Sequence, residues 1–352
     1  MRVDGRRPAP RAIAACAVAF LVAAAATPAR AQSADETELA WYLSSSGALQ
    51  AATVFESFAY GEAWLPWALL GTAGAQTGVG LAFGTEDALP LAGAQLGLSL
   101  AFAANELAFG TNLATPLLFN AAHKLSMYAT YSGYADIRMR SDDPDYAAGL
   151  GRSAFGELAL APFKPASYAP WPVWGYVASM GAFAAVSALG AAPGEAVWDT
   201  GSAFLGDAEF PVWAGVGLML LLQVPNFVMT GVGEEALYRG TYYEELSTRL
   251  GEWPAKLLDA SWFTFSHYPQ QWDELMDLPF GQLLLKTALS FAQAFWFQYV
   301  YEWHGLEYAV AAHAASDVLV FFVDWLAQGG VPNGAGFSIN ERTMMIGLTF
   351  KL

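Results

Sequence analysis

The sequence predicts an all-α protein, a polytopic transmembrane bundle of about seven or eight helices that ends in a short β-like tail. Three observations predict it: a charge-poor composition, a succession of uncharged runs of bilayer length, and ionisable side chains at helical spacing within such runs. Of 352 residues, 55% are hydrophobic and 14% charged, against roughly 45–50% and about 25% in soluble domains. Thirteen tryptophans add the rings that gather at the headgroup level of a bilayer.

The chain opens on a basic stretch, Arg2, Arg6, Arg7 and Arg11, followed by the uncharged run Ala12–Ala26 and by Thr27-Pro28-Ala29-Arg30-Ala31. This is the pattern of a secretory signal peptide, with cleavage expected after Ala31. The apolar run is shorter than the ~20 residues of a spanning helix, which disfavours an uncleaved anchor. Cleavage would remove Cys16, the only cysteine, leaving no disulfide or thiol chemistry. The formal net charge is −16, and losing this arginine-rich leader makes the remainder more acidic still. A nucleic-acid partner is not expected, because such binders carry a basic patch. The acidity suits loops facing the periplasm or an outer face, and a lineage-wide acidic bias accounts for it equally well.

Leu65–Gly84, Pro90–Asn105 and Asn112–Tyr131 are successive apolar runs. The first holds Gly71, Gly74, Gly78 and Gly80, which permit close helix contact. The third contains His123 and Lys124. Ala135–Glu157, with seven charged residues from Asp136 to Arg152 before it ends, is the most polar part of the chain. It reads as a loop outside the bilayer and as the boundary between two halves. In the second half, Trp171–Gly190 and Pro211–Thr230 read as spans, the latter broken by Pro225 and Asn226. Pro193–Glu209 reads as a polar link. Gly231–Leu250 and Trp253–Tyr268 read as helices, Pro269–Pro279 as an acidic loop, and Phe280–Tyr301 and Leu306–Leu326 as the last long apolar segments. After Gly329 the pattern changes. Pro332-Asn333-Gly334 marks a turn, and Gly336–Asn340 and Arg342–Leu352 resemble two short strands. A barrel is disfavoured, since the upstream runs are too long for strands of roughly 9–11 residues. The expected division is 1–31, a signal peptide; 32–160, a membrane-associated region of unknown role; 161–328, a helical core; and 329–352, a tail.

Ionisable groups inside membrane segments are costly and usually functional. Three clusters stand out. In Glu234-Glu235-Ala236-Leu237-Tyr238-Arg239, the spacing puts Glu235 and Arg239 on one helix face, able to pair. Glu234 stays available, and two adjacent carboxylates suit proton transfer. In Phe263-Thr264-Phe265-Ser266-His267, Phe263 lies one turn before His267 and can wall a site. In His313-Ala314-Ala315-Ser316-Asp317, the histidine and aspartate again share a face. Each cluster alone has a structural reading as a bridge or helix–helix hydrogen bond. Together they supply a base and charge stabilisation. There is no HExxH, no glycine-rich phosphate loop, and no motif supporting Ser266 or Ser316 as a nucleophile.

EExxxR, FxxxH and HxxxN or HxxxD on successive membrane helices resemble the CAAX-protease and bacteriocin-processing family of intramembrane endopeptidases. The resemblance covers roughly Trp171–Gln328 and leaves the N-terminal half unassigned. It implies that Glu234 activates the attacking water, that His267 helps hold it, and that His313 and Asp317 stabilise the oxyanion. Glu235 and Arg239 would brace the site. The family is described both as glutamate-based and as metal-dependent. The expected cofactor is therefore none, or one divalent zinc-like ion on Glu234, His267, His313 and Asp317. Asparagine is commonest at the position of Asp317. Three readings follow for the aspartate: it is protonated, it orients His313, or it joins a metal; orientation of His313 is preferred.

The resemblance implies an intramembrane endopeptidase acting on a membrane protein or peptide, expected in the inner membrane of a bacterial cell; the cleaved signal would leave the mature N-terminus on the periplasmic or outer side. Two other functions are carried alongside: an inactive membrane scaffold, for which Glu234→Gln would leave function intact, and a proton- or cation-coupled transporter.

Overall fold

The computed structural model describes residues 34–58, 63–85, 89–110, 114–140, 153–189, 201–205, 208–268, 275 and 278–327. The expected signal peptide, the tail after Gln328 and most of the acidic loop lie outside the described residues. Within them the chain is built of helices, as the apolar runs predict. In order they are α1 (Ala34–Phe58), α2 (Leu65–Ala82), α3 (Leu89–Phe109), α4 (Ala114–Arg140), the short α5 (Phe155–Leu160) and α6 (Trp171–Leu189). After these come α7 (Val212–Leu237), a π-helical turn (Tyr238–Tyr243), α8 (Glu244–Leu250), α9 (Glu252–Ser266), α10 (Phe280–His304) and α11 (Leu306–Ala327).

Three expectations are corrected. The polar link after Pro193 holds an antiparallel hairpin, β1 (Ser202–Leu205) with β2 (Ala208–Pro211), set among the helices of an all-α fold. The segments on either side of Thr230 are one continuous rod, Val212–Leu250. Pro225 removes a single backbone donor without ending it. The supposed loop from Ala135 begins as helix, because α4 runs to Arg140. Charge does not stop α4 there because each cation finds an acceptor: Arg138 pairs with Glu245, and Arg140 donates to the Phe83 carbonyl at 2.9 Å. Tyr134 and Ile137 meanwhile pack on Leu39, Tyr42 and Leu43 of α1.

Among the described residues two helices are long and apolar enough to cross a membrane, Val212–Leu250 and Leu306–Ala327. These two pack together at the centre. α4 lies against the other side of α7, α6 against α11, and α3 against α4. One core joins both halves, with Tyr128 and Tyr131 of α4 meeting Val228, Val232 and Ala236 of α7 and Ala309 and Val310 of α11.

The central crossing depends on two glycines two residues apart. A Cβ on Gly231 would lie 3.2 Å from the Val310 carbonyl oxygen of α11, and a Cβ on Gly233 would lie 2.6 Å from that of Lys124 in α4. Side chains here would hold the helices apart; their absence lets backbones approach closely. At the exposed Gly217 of the same helix a Cβ would meet nothing within 4 Å. Gly217→Ala is therefore expected to stabilise the helix by roughly 0.5–1 kcal/mol. Gly233→Ala is expected to destabilise the protein by about 1–3 kcal/mol through overpacking. Melting both variants in one detergent checks this, and equal shifts would contradict the close crossing.

Candidate active site

The three clusters converge. α7 carries Glu234 and Glu235, α9 ends at Ser266 so that His267 sits at its C-cap, and α11 carries His313 and Asp317. Each helix positions its group for a local reason. Glu234 follows the Gly231–Gly233 crossing. His267 is tied to its own helix by Nδ1, which donates to the Phe263 carbonyl at 2.5 Å. His313 lies on a stretch of small residues, Ala309, Ala311, Ala312 and Ala314, all buried.

Glu234 is the meeting point. Its Oε2 faces the His267 Nε2 at 3.5 Å and the His313 Nε2 at 3.7 Å. Buried, this oxygen has no hydrogen-bond partner among the described residues. Because Nδ1 of His267 donates to a carbonyl, its Nε2 presents a lone pair in the neutral ring. Two acceptors facing one another at this separation are complementary to a water that donates to both. His313 differs. Its Nδ1 lies 2.7 Å from Glu235 Oε1, and its Nε2 lies 3.4 Å from Asp317 Oδ2. A carboxylate at Nδ1 fixes the ring's orientation and its Nδ1–H tautomer. The preferred sequence reading gave that task to Asp317. In the structure Glu235 stands at Nδ1, while Asp317, four residues along the same helix, stands at Nε2. His267, with its side chain 23% exposed, forms the open wall, while Glu234 and His313 are buried behind it.

Behind Glu235 stands a buried cation. Arg239 is fully buried and lies 3.4 Å from Glu235 Oε1 and 3.8 Å from Asp259 Oδ2. Its Nη2 donates to the Ala294 carbonyl at 2.8 Å. Its guanidinium carbon sits 4.6 Å from the Phe263 ring centre and 5.6 Å from that of Phe297, a cation–π cradle. Phe263 therefore seats the arginine and also walls the histidines, with ring centres 4.5 Å from His267 and 6.1 Å from His313. Phe297 stacks on His313 at 4.6 Å.

Ser266 and Ser316 are committed elsewhere. Ser266 Oγ donates to the Phe263 carbonyl and accepts from Tyr238, and Ser316 Oγ donates to the His313 carbonyl. Ser266 Oγ also lies 3.3 Å from His267 Nδ1, but that nitrogen donates to the Phe263 carbonyl and so is not free to take a proton from a nucleophilic serine.

Four contributors escaped the sequence reading. Asp259 stands one turn before Phe263 and two before His267, so a helical-face count identifies it. Phe297 and Gln298, which donates to Asp259 Oδ2 at 3.0 Å, lie in an apolar run without a distinguishing signal. Lys124 is conspicuous as a charge inside an apolar run, but its partner is far away in the chain. Its Nζ lies 2.6 Å from Glu234 Oε1, and both side chains are buried. Glu234 is thus not the unpaired member of its doublet.

A divalent ion on Glu234, His267, His313 and Asp317 is the other expectation for this site. Among the described residues no group of three or more His, Cys, Asp or Glu side chains is arranged to hold one. The Lys124 ammonium also places positive charge on the carboxylate where a cation would bind.

Residues 215–319 match a protein family described as Rce1-like, type II CAAX prenyl endopeptidase Rce1-like. The matched stretch contains all three motifs and excludes Lys124. Neither a curated protein nor a solved structure matches the chain.

Proposed function

We propose, on the premise that residues 215–319 belong to the CAAX-protease family, that this protein hydrolyses a peptide bond of a membrane-associated protein or peptide within the bilayer. The observation that carries the reading is the orphaned Glu234 Oε2 between two imidazole Nε2 atoms, one of them on the partly exposed His267.

A water held between Glu234 Oε2 and His267 Nε2 gives a proton to Glu234 as its oxygen attacks the carbonyl carbon of the substrate. A C–O bond forms and the carbonyl π electrons move onto oxygen. Imidazolium His313, flanked by carboxylates at both ring nitrogens, donates its Nε2–H to that oxyanion. When the oxyanion collapses, the C–N bond breaks and the proton on Glu234 passes to the leaving amine. The products are a carboxylate and a new N-terminus, with no group oxidised or reduced. Side chains and water suffice for every step.

The membrane setting follows from an inverted distribution of polarity. Glu234, Glu235, Arg239, Asp259, His313 and Asp317 are buried. Leu218, Leu220 and Leu221 of α7, Leu257 and Leu258 of α9, and Leu284 and Leu285 of α10 are exposed. Exposed tryptophans, among them Trp64, Trp67, Trp171, Trp213 and Trp303, are suited to the interface. A chain in water buries the leucines; one in lipid turns them outward and keeps its ionisable groups inside. In this reading α9, whose outer face carries Leu257 and Leu258, meets lipid as one helix of a polytopic bundle in a bacterial inner membrane.

The test compares new protein N-termini in membranes of cells making wild type or Glu234→Gln. Products found only with wild type are expected, and they name the substrates. Identical profiles with both proteins folded and equally abundant would sink the protease reading and favour a scaffold or transporter.

A further inference from the structure

We infer that Lys124, contributed by the N-terminal region, is a positioning residue of this active site. It holds one oxygen of Glu234 so that the other faces the water, and it balances the negative charge that Asp317 adds to the pocket. The inference rests on the protease reading and extends the site to a helix outside the matched family segment.

Three independent features carry it. The first is the contact: the Lys124 ammonium lies 2.6 Å from Glu234 Oε1, with both groups buried. A charge-assisted bond of this length orients a carboxylate. With Oε1 engaged, the orphaned Oε2 is the oxygen turned towards His267 and His313.

The second is the backbone beneath it. Gly233 lies against the Lys124 carbonyl, and a Cβ there would also come within 2.8 Å of the Lys124 Cα. Asn120, one turn earlier in α4, donates to Asn226 Oδ1 at 2.8 Å and to Thr230 Oγ1 at 3.0 Å. The crossing is thus clamped at the ion pair and one turn before it, which fixes where Nζ sits relative to Glu234.

The third is charge. Four buried carboxylates, Glu234, Glu235, Asp259 and Asp317, share the site. Arg239 serves Glu235 and Asp259, at 3.4 and 3.8 Å. The other two carboxylates, Glu234 and Asp317, flank His313 Nε2 at 3.7 and 3.4 Å. Without Lys124 that second pair would share one imidazole ring in a low-dielectric interior, where uncompensated charge is strongly unfavourable.

The experiment uses the full chain in native membranes, with Glu234-dependent new N-termini as the readout, and purified protein in one detergent for melting. Lys124→Met is expected to lower the yield of these products about a hundredfold, the usual consequence of a misplaced catalytic group. Lys124→Met/Asp317→Asn, which removes one charge of each sign, is expected to recover at least about a tenth of the wild-type yield, an effect that a purely structural lysine would not show. Introducing Lys124→Met into Glu234→Gln should lower the melting midpoint less than introducing it into wild type. Lys124→Met cleaving like wild type would overturn the positioning role. Absence of recovery in the folded double variant would overturn the charge balance. The protease reading fails separately: there, wild type and Glu234→Gln already give identical N-termini before any Lys124 variant is compared.

Discussion

Arg239→Met is expected to destabilise the protein by about 3–5 kcal/mol, the usual cost of leaving buried charges without their partner. Methionine keeps the apolar stem but ends short of the guanidinium that lies over Phe263 and Phe297, so the loss reports charge, hydrogen bonding and the cation–π contacts together. Glu235 would lose its cation at 3.4 Å, Asp259 its cation at 3.8 Å, and the Ala294 carbonyl its donor. Activity should fall with stability, because Glu235 is also the group that holds His313 Nδ1. Adding Asp259→Asn should recover part of the loss, since one of the stranded charges is then gone. Denaturant or thermal melting in a single detergent measures this. A change below about 1 kcal/mol, the range of an ordinary exposed pair, would mean that the arginine is not buried as described.

His313→Ala is expected to lower the rate of Glu234-dependent cleavage by about 10²–10³-fold, the effect of removing one oxyanion donor. The neighbouring carboxylates separate by role. Glu235→Gln should slow cleavage more than Asp317→Asn, because Glu235 fixes the ring through Nδ1 at 2.7 Å while Asp317 stands on the Nε2 side. Asparagine at 317 also brings an N–H donor to the oxyanion and removes a charge that opposes it. Rates are read by quantifying the same N-terminal peptides over time at matched protein abundance. The reverse order would restore to Asp317 the orienting role that the sequence suggested.

Most of the site is legible from the chain because its members lie at short helical spacings. Glu235 with Arg239 and His313 with Asp317 are four apart, and such pairs meet on any helix, whatever surrounds it. Phe263 and His267 follow the same rule, with ring centres 4.5 Å apart. The coincidence of three such pairs in apolar segments was enough to suggest a family, and the match over residues 215–319 agrees with it. The helical character of the chain was equally legible, since long uncharged runs in lipid satisfy their backbone polar groups as helices. The hairpin at Ser202–Pro211 was not, because its two strands of four residues are too short for an alternating pattern to stand out.

The sequence by itself determined which residues share a helix face, since helical periodicity is a local property of the backbone. Tertiary structure alone decided which faces meet. Lys124 and Glu234 are 110 residues apart, and nothing in the spacing of either one names the other. Their encounter depends on Gly233, where the missing Cβ lets α4 and α7 touch through their backbones. The same holds for Glu235 and His313, 78 residues apart, brought together where Gly231 admits α11. Which carboxylate orients the histidine, and which cation steadies the base, are consequences of helix packing, because an ion pair forms wherever packing brings opposite charges together out of water.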